Sequence, residues 1–113
     1  MYILEHDGKL LFARYGIAVP RGSVLRSAEA PLFGDFPVVM KAHIAVGGRG
    51  RAGGVRTAVN DTEARVILRA LLGAMICSTP VESVLAEERI TSVREWYVSL
   101  SYDSVTRGPV LAV

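Results

Sequence analysis

The sequence predicts an α+β lobe in which two helices are set against several short, mostly antiparallel strands. Three observations predict it. Segments 4–15 and 60–73 carry apolar residues at helical spacing, whereas 37–42, 55–59 and 83–88 are short β-branched or apolar runs. A glycine-rich turn separates two of those runs, and hairpin connections of this kind imply a mixed or antiparallel sheet.

Each element has a local reason. Leu4, Leu11, Phe12 and Tyr15 share one face of the first helix, which Gly16 ends and Pro20 keeps from resuming. A short extended piece follows at 23–25, and the polar stretch 27–35 has room for a helical turn at most. PVVMKA at 37–42 reads as a mostly buried strand. Asn60 caps the second helix with Glu63 three residues on, Ala64, Ile67, Leu68 and Leu71 form its stripe, and Gly73 closes it. A strand near 83–88 follows Pro80, another spans about 95–102, and Arg107–Gly108 turns into the last strand.

The chain has 113 residues, half of them hydrophobic and 21% charged, which is a globular balance. A net charge of +2 is too small to argue for nucleic acid as a partner. Cys77 is the single cysteine, so no internal disulfide can form. The N-terminal MYILEHDGK lacks the apolar core of a signal peptide, and no run approaches a membrane span. A cytoplasmic protein without membrane contact is expected. The closing run GPVLAV ends without a turn, and the chain reads as the N-terminal part of something longer.

Five glycines fall in the eight residues 47–54, GGRGRAGG. Gly48, Gly50 and Gly53 match G-x-G-x-x-G, but the dinucleotide fingerprint requires a following helix and VRTAV reads as a strand. No G-K-[ST] ends the loop, which excludes a Walker A reading. The spacing to Val55 matches the kinase loop, yet the partner lysine there lies downstream and Lys41 lies upstream. A glycine-rich turn between strands lets backbone N–H groups approach phosphate oxygens. A plain hairpin loop and an Arg-Gly RNA-binding segment are the alternatives.

Lys41 ends a buried strand beside this loop, where a compact cation can neutralise phosphate or simply reach solvent. Glu87 ends the run Val84–Ala86, and with Glu88 and Glu95 is either a set of acceptors for a nucleoside or ordinary surface charge. His6 and His43 are too unaccompanied for a metal site, and Cys77 reads as a small hydrophobe or surface thiol. No nucleophile–base constellation is present.

Together LFARYG (11–16) with Pro20, VVMKAHIAVGGRGRAGGV (38–55), LLG (71–73) and VLAEERITSVREWYVSLSYD (84–103) resemble the start of the succinyl-CoA synthetase β subunit, an ATP-grasp enzyme. The resemblance implies the N-terminal lobe of an ATP-grasp fold, incomplete here. Its nucleotide-binding lobe would span about 21–90 and the start of the second lobe about 91–113. It places Lys41 on the nucleotide phosphates, Gly48, Arg49 and Gly50 in the nucleotide-binding loop, and Glu87 near adenine and ribose. Ile90 and Glu95 match two further nucleotide positions, Ile90 offering its backbone but no side-chain hydroxyl.

The implied partners are ATP, Mg²⁺ with ligands beyond Val113, a CoA-ligase α subunit carrying a catalytic histidine, a carboxylic acid and CoA. The implied activity is ADP-forming acid–CoA ligation of the tricarboxylic acid cycle type, by phosphoryl transfer, with the isolated chain inactive. Succinate, malate and citrate stay open as the acid. The alternative is a truncated, non-catalytic nucleotide-binding or interaction module. SAEAPLFGDF leaves little of the family's helix before the lysine strand, and the segment between Gly73 and Val84 is expected without the extra hairpin of many relatives.

Overall fold

A computed structural model describes residues 2–32 and 34–113; Met1, and Phe33 within the expected 27–35 turn segment, lie outside the described residues. Helix α1 (Glu5–Arg14) is followed by β1 (Gly22–Leu25), β2 (Val38–Ala42), β3 (Val55–Ala58), α2 (Asp61–Leu71), β4 (Met75–Ile76), β5 (Thr79–Pro80), β6 (Val84–Glu88), β7 (Ser99–Asp103) and β8 (Gly108–Ala112). The fold is α+β, and the main sheet is antiparallel throughout in the order β1-β6-β2-β3.

Alternation along the two central strands separates the faces of that sheet. Val38, Met40 and Ala42 of β2, with Val84 and Ala86 of β6, point into the core against Ala64, Leu68 and Leu71 of α2. Each large side chain buried here contributes roughly 2 kcal/mol. The intervening residues Val39, Lys41, Leu85 and Glu87 face the other side, where the register sets Val39 opposite Glu87 and Lys41 opposite Leu85.

Local chemistry fixes α2. Asn60 Oδ1 accepts the Glu63 N–H at 2.9 Å, and Glu63 Oε2 accepts the N–H of Val59, one residue before the cap, at 3.0 Å. Gly73 leaves the helix with φ 77° and donates to Val81 O.

Helix α1 differs from its expected packing. It has no buried residue, and Leu10 and Phe12 remain 53% exposed. The helix instead turns Glu5 and Lys9 toward the second face of the sheet, so ionic contacts seat it in place of apolar ones.

Two small sheets complete the chain. The segment expected without a hairpin forms a minimal one: β4 pairs with β5 across Cys77 and Ser78, both in the left-handed region. Strand β7 begins at Ser99 rather than near Glu95 and pairs with β8 through a turn in which Asp103 accepts the N–H groups of Val105 and Thr106. No residue of 89–113 is buried. Among the described residues no helix is long and apolar enough to cross a membrane.

Candidate functional site

The second face of the main sheet carries a cluster of charges. Glu87, at the end of β6, is 2% exposed and accepts from Lys9 Nζ at 2.5 and 2.8 Å. Lys41 Nζ, from β2, lies 2.7 Å from Glu87 Oε2 and donates to Glu5 Oε1 at 2.5 Å. Lys9 Nζ reaches the same Glu5 oxygen at 2.6 Å. Arg49 joins from the glycine-rich loop, pairing with Glu5 Oε2 and donating from its other terminal nitrogen to Ala42 O at 3.0 Å. Three cations therefore share two carboxylates.

Burial and the neighbouring charges shift two members of the cluster from their ordinary values. Burial pushes the Glu87 carboxyl up, but hydrogen bonds from Lys41 and Lys9 and their charges outweigh it, leaving Glu87 below its usual value. Burial pulls Lys9 down; the hydrogen bond from Lys9 to Glu87 opposes this, and the Lys41 charge adds to it, leaving Lys9 lowered.

The loop is a compact turn rather than an extended flap. Ala52 donates to Gly48 O, Gly53 to Gly50 O, and Gly54 to Arg49 O at 2.7 Å. Gly48 turns the chain with φ 78°. Gly54 is required for another reason: a Cβ there would lie 2.9 Å from Arg49 O and 3.2 Å from the Ile76 side chain. Close approach of β3 to the loop thus holds Arg49 in place. Among the described residues, the N–H groups of Gly48, Arg49, Gly50 and Arg51 donate to no protein acceptor. Successive unpaired amides of this kind suit an anion.

Lys41, Glu87, Ile90 and Glu95 line one open cleft of about 410 Å³, with Lys9, Pro20 and Val39. Ile90 and Glu95 are exposed at its rim, and Ser92 donates to Glu95 at 3.1 Å. Gly48 and Gly50 do not line this cleft; the loop meets the cluster through the Arg49 side chain.

Glu5 and Lys9 escaped the sequence reading. Their signal was an i,i+4 acid–base pair at a helix start, which is ordinarily surface decoration. His43, buried 37 residues from His6 in sequence, accepts the His6 N–H on Nε2 at 3.3 Å and has Ser83 Oγ 3.4 Å from Nδ1. Among the described residues, no three His, Cys, Asp or Glu are grouped to hold a metal.

A family model described as the ATP-grasp domain matches residues 2–113. The β subunit of succinate–CoA ligase [ADP-forming] from Desulfosudis oleivorans is 38% identical over 98% of this chain and 32% of its own length. The corresponding subunit of Aquifex aeolicus is 37% identical with the same coverage. The beta 1 subunit of Archaeoglobus fulgidus is 42% identical over 98% of the chain and 30% of its own length. The chain thus spans about a third of the length of these curated relatives.

Proposed function

The chain belongs to the ATP-grasp domain family, and from that premise we propose that it is the ATP-binding portion of an ADP-forming carboxylate–CoA ligase of the succinate–CoA ligase type. One observation carries the reading: Lys41 of a central strand and Arg49 of the glycine-rich loop converge on a single carboxylate, Glu5. Two cations from different elements, one of them carried by a loop whose amides are unpaired among the described residues, form a donor set suited to polyphosphate.

In this reading Lys41 and Arg49 neutralise the phosphates, and the Gly48–Gly50 backbone lies against them. Glu87 holds Lys41 in position at the floor of the cleft. Ile90 and Glu95 form the rim on the nucleoside side. Phosphoryl transfer depends on positioning and charge neutralisation, and this lobe supplies both to the nucleotide. The phosphoryl acceptor is a histidine of a partner α subunit, and the carboxylic acid and CoA bind outside this lobe. Mg²⁺ belongs to the same reading, although no three His, Cys, Asp or Glu among the described residues are grouped to hold it. The reading carries with it a cytoplasmic setting, and residues 91–113 as the start of the second lobe.

Calorimetry with ATP tests the site. Lys41→Ala is expected to weaken ATP binding at least tenfold, and undiminished binding would remove Lys41 from the nucleotide site.

A further inference from the structure

The two carboxylates of the cluster are not equivalent. The Glu87 side chain is 3% exposed and fixed in a central strand, whereas the Glu5 side chain is 22% exposed and belongs to a helix with no buried residue. Glu5 nevertheless accepts from every cation of the cluster: Lys9, Lys41 and Arg49. Its two oxygens thus meet the donors in the manner of an oxyanion ligand.

We propose that Glu5 is an internal anion, which occupies the phosphate-binding cations of the free lobe and gives way when a polyphosphate enters. The proposal rests on the reading of Lys41 and Arg49 as phosphate ligands.

Electrostatics gives the reason for such a residue. Partly buried cations left without a counter-ion are strongly destabilising. Glu87 alone cannot balance Lys9, Lys41 and Arg49, and it makes no contact with Arg49 shorter than the ion-pair limit. Glu5 supplies the second negative charge while no ligand is bound. Its withdrawal leaves Lys9 and Lys41 on Glu87 and a positive excess facing the incoming anion. One anion replaces another, so the cations are paired in both states.

The setting of α1 suits the exchange. No residue of α1 is fully buried, and its apolar side chains Leu10, Leu11 and Phe12 are 43–53% exposed, so moving its first turn uncovers only partly buried side chains such as His6. Its polar ties to the rest of the lobe among the described residues include the Glu5 and Lys9 ion pairs and the His6 N–H bond to His43, whose ring the His6 ring meets edge-on. A released Glu5 keeps favourable company, because it lies in the first turn of α1, where the helix dipole attracts negative charge. The consequence for binding is competition: affinity is reduced by the fraction of molecules in which Glu5 holds the cations.

The direction of the effect separates this role from a structural one. A carboxylate that merely props up the site weakens ligand binding when neutralised, whereas an internal competitor strengthens it. Sodium tripolyphosphate, which lacks a nucleoside, is titrated calorimetrically into the chain and its Glu5→Gln, Asp7→Asn and Lys41→Ala variants, with folding checked by circular dichroism. Asp7 lies on the same turn, is exposed and has no ion pair among the described residues, so Asp7→Asn controls for net charge.

Glu5→Gln is expected to bind at least fivefold more tightly, Asp7→Asn less than twofold, and Lys41→Ala at least tenfold more weakly. Unchanged or weaker binding by Glu5→Gln, or equal tightening by Asp7→Asn, overturns the internal anion while leaving the phosphate site standing. Wild-type affinity in Lys41→Ala overturns both. Where Glu5→Gln does not fold, deuterium exchange on the unaltered chain decides. Tripolyphosphate should raise uptake at residues 5–9, and unchanged or lowered uptake overturns the proposal.

Discussion

Lys41 Nζ lies 2.7 Å from Glu87 Oε2, a diagonal pair that ties the two central strands together on the face opposite the core. Diagonal neighbours on a sheet lie within reach of long side chains, and the antiparallel register, with Val39 opposite Glu87, sets this pair. The same pair is a structural clamp at the cleft and, in the proposed reading, part of the nucleotide site.

Removing Glu87 therefore tests stability first. Glu87→Ala should cost about 3 kcal/mol, because it leaves Lys9 and Lys41 facing each other with a partner only in Glu5. Replacing an ion pair as a unit is cheaper, so Lys9→Met with Glu87→Leu should cost less than Glu87→Ala alone. Urea denaturation of the two variants makes the comparison, and the reverse ranking would sink the argument.

Gly22 supports the same carboxylate from β1. A Cβ at this position would stand 2.7 Å from Ala86 O and 2.8 Å from Glu87 Cγ, and the first of these is backbone. Gly22→Ala should destabilise the lobe by about 2 kcal/mol. A melting temperature equal to that of the unaltered chain would show that β1 can shift without loss.

Acid should unfold the chain in two stages. Burial pulls the His43 value below the usual 6.5, with His6 and Arg26 adding to the effect and Asp7 and Glu87 opposing it. The folded state therefore prefers neutral His43, whose Nε2 accepts the His6 N–H. That contribution is complete above 6.5 and is lost as pH falls through the lowered value. Glu87 follows: its lowered value means that its stabilisation is complete above 4.5 and disappears as pH falls through the depressed value. As pH is lowered from about 6.5, stability from urea curves should fall in both windows. His43→Asn should abolish only the upper step, and persistence of that step would assign it elsewhere.

The two helices should respond differently to truncation. Leu68 is fully buried, so Leu68→Ala should cost about 3 kcal/mol. Phe12 is 53% exposed, and Phe12→Ala should stay within about 0.5 kcal/mol. Equal losses by urea denaturation would mean that α1 is packed as tightly as α2.

These contrasts show what the sequence makes legible. Helix α2 is written in adjacent residues: Asn60 and Glu63 for its start, and Ala64, Leu68 and Leu71 for its buried stripe. The loop between β2 and β3 is equally local, which is why its context could decide among phosphate-binding motifs. The insertion of β6 between β1 and β2 is not local, because Val39 meets Glu87 across 47 intervening positions that carry no trace of the pairing. Periodicity found the apolar stripe of α1 but could not say that Glu5 and Lys9, rather than the stripe, face the sheet. The β4–β5 hairpin was hidden because Cys77 and Ser78 occupy left-handed positions where glycine or asparagine is the usual marker.

That hairpin also gives the molecule an experimental handle. Cys77 is the single cysteine of the chain, is exposed, and has its Sγ 3.8 Å from the carbonyl of Gly47, at the entrance to the glycine-rich loop. A maleimide fluorophore or nitroxide attached there would sit against the loop without any engineered substitution. Its emission or mobility would record, in real time, whether the loop rearranges as ligand is added.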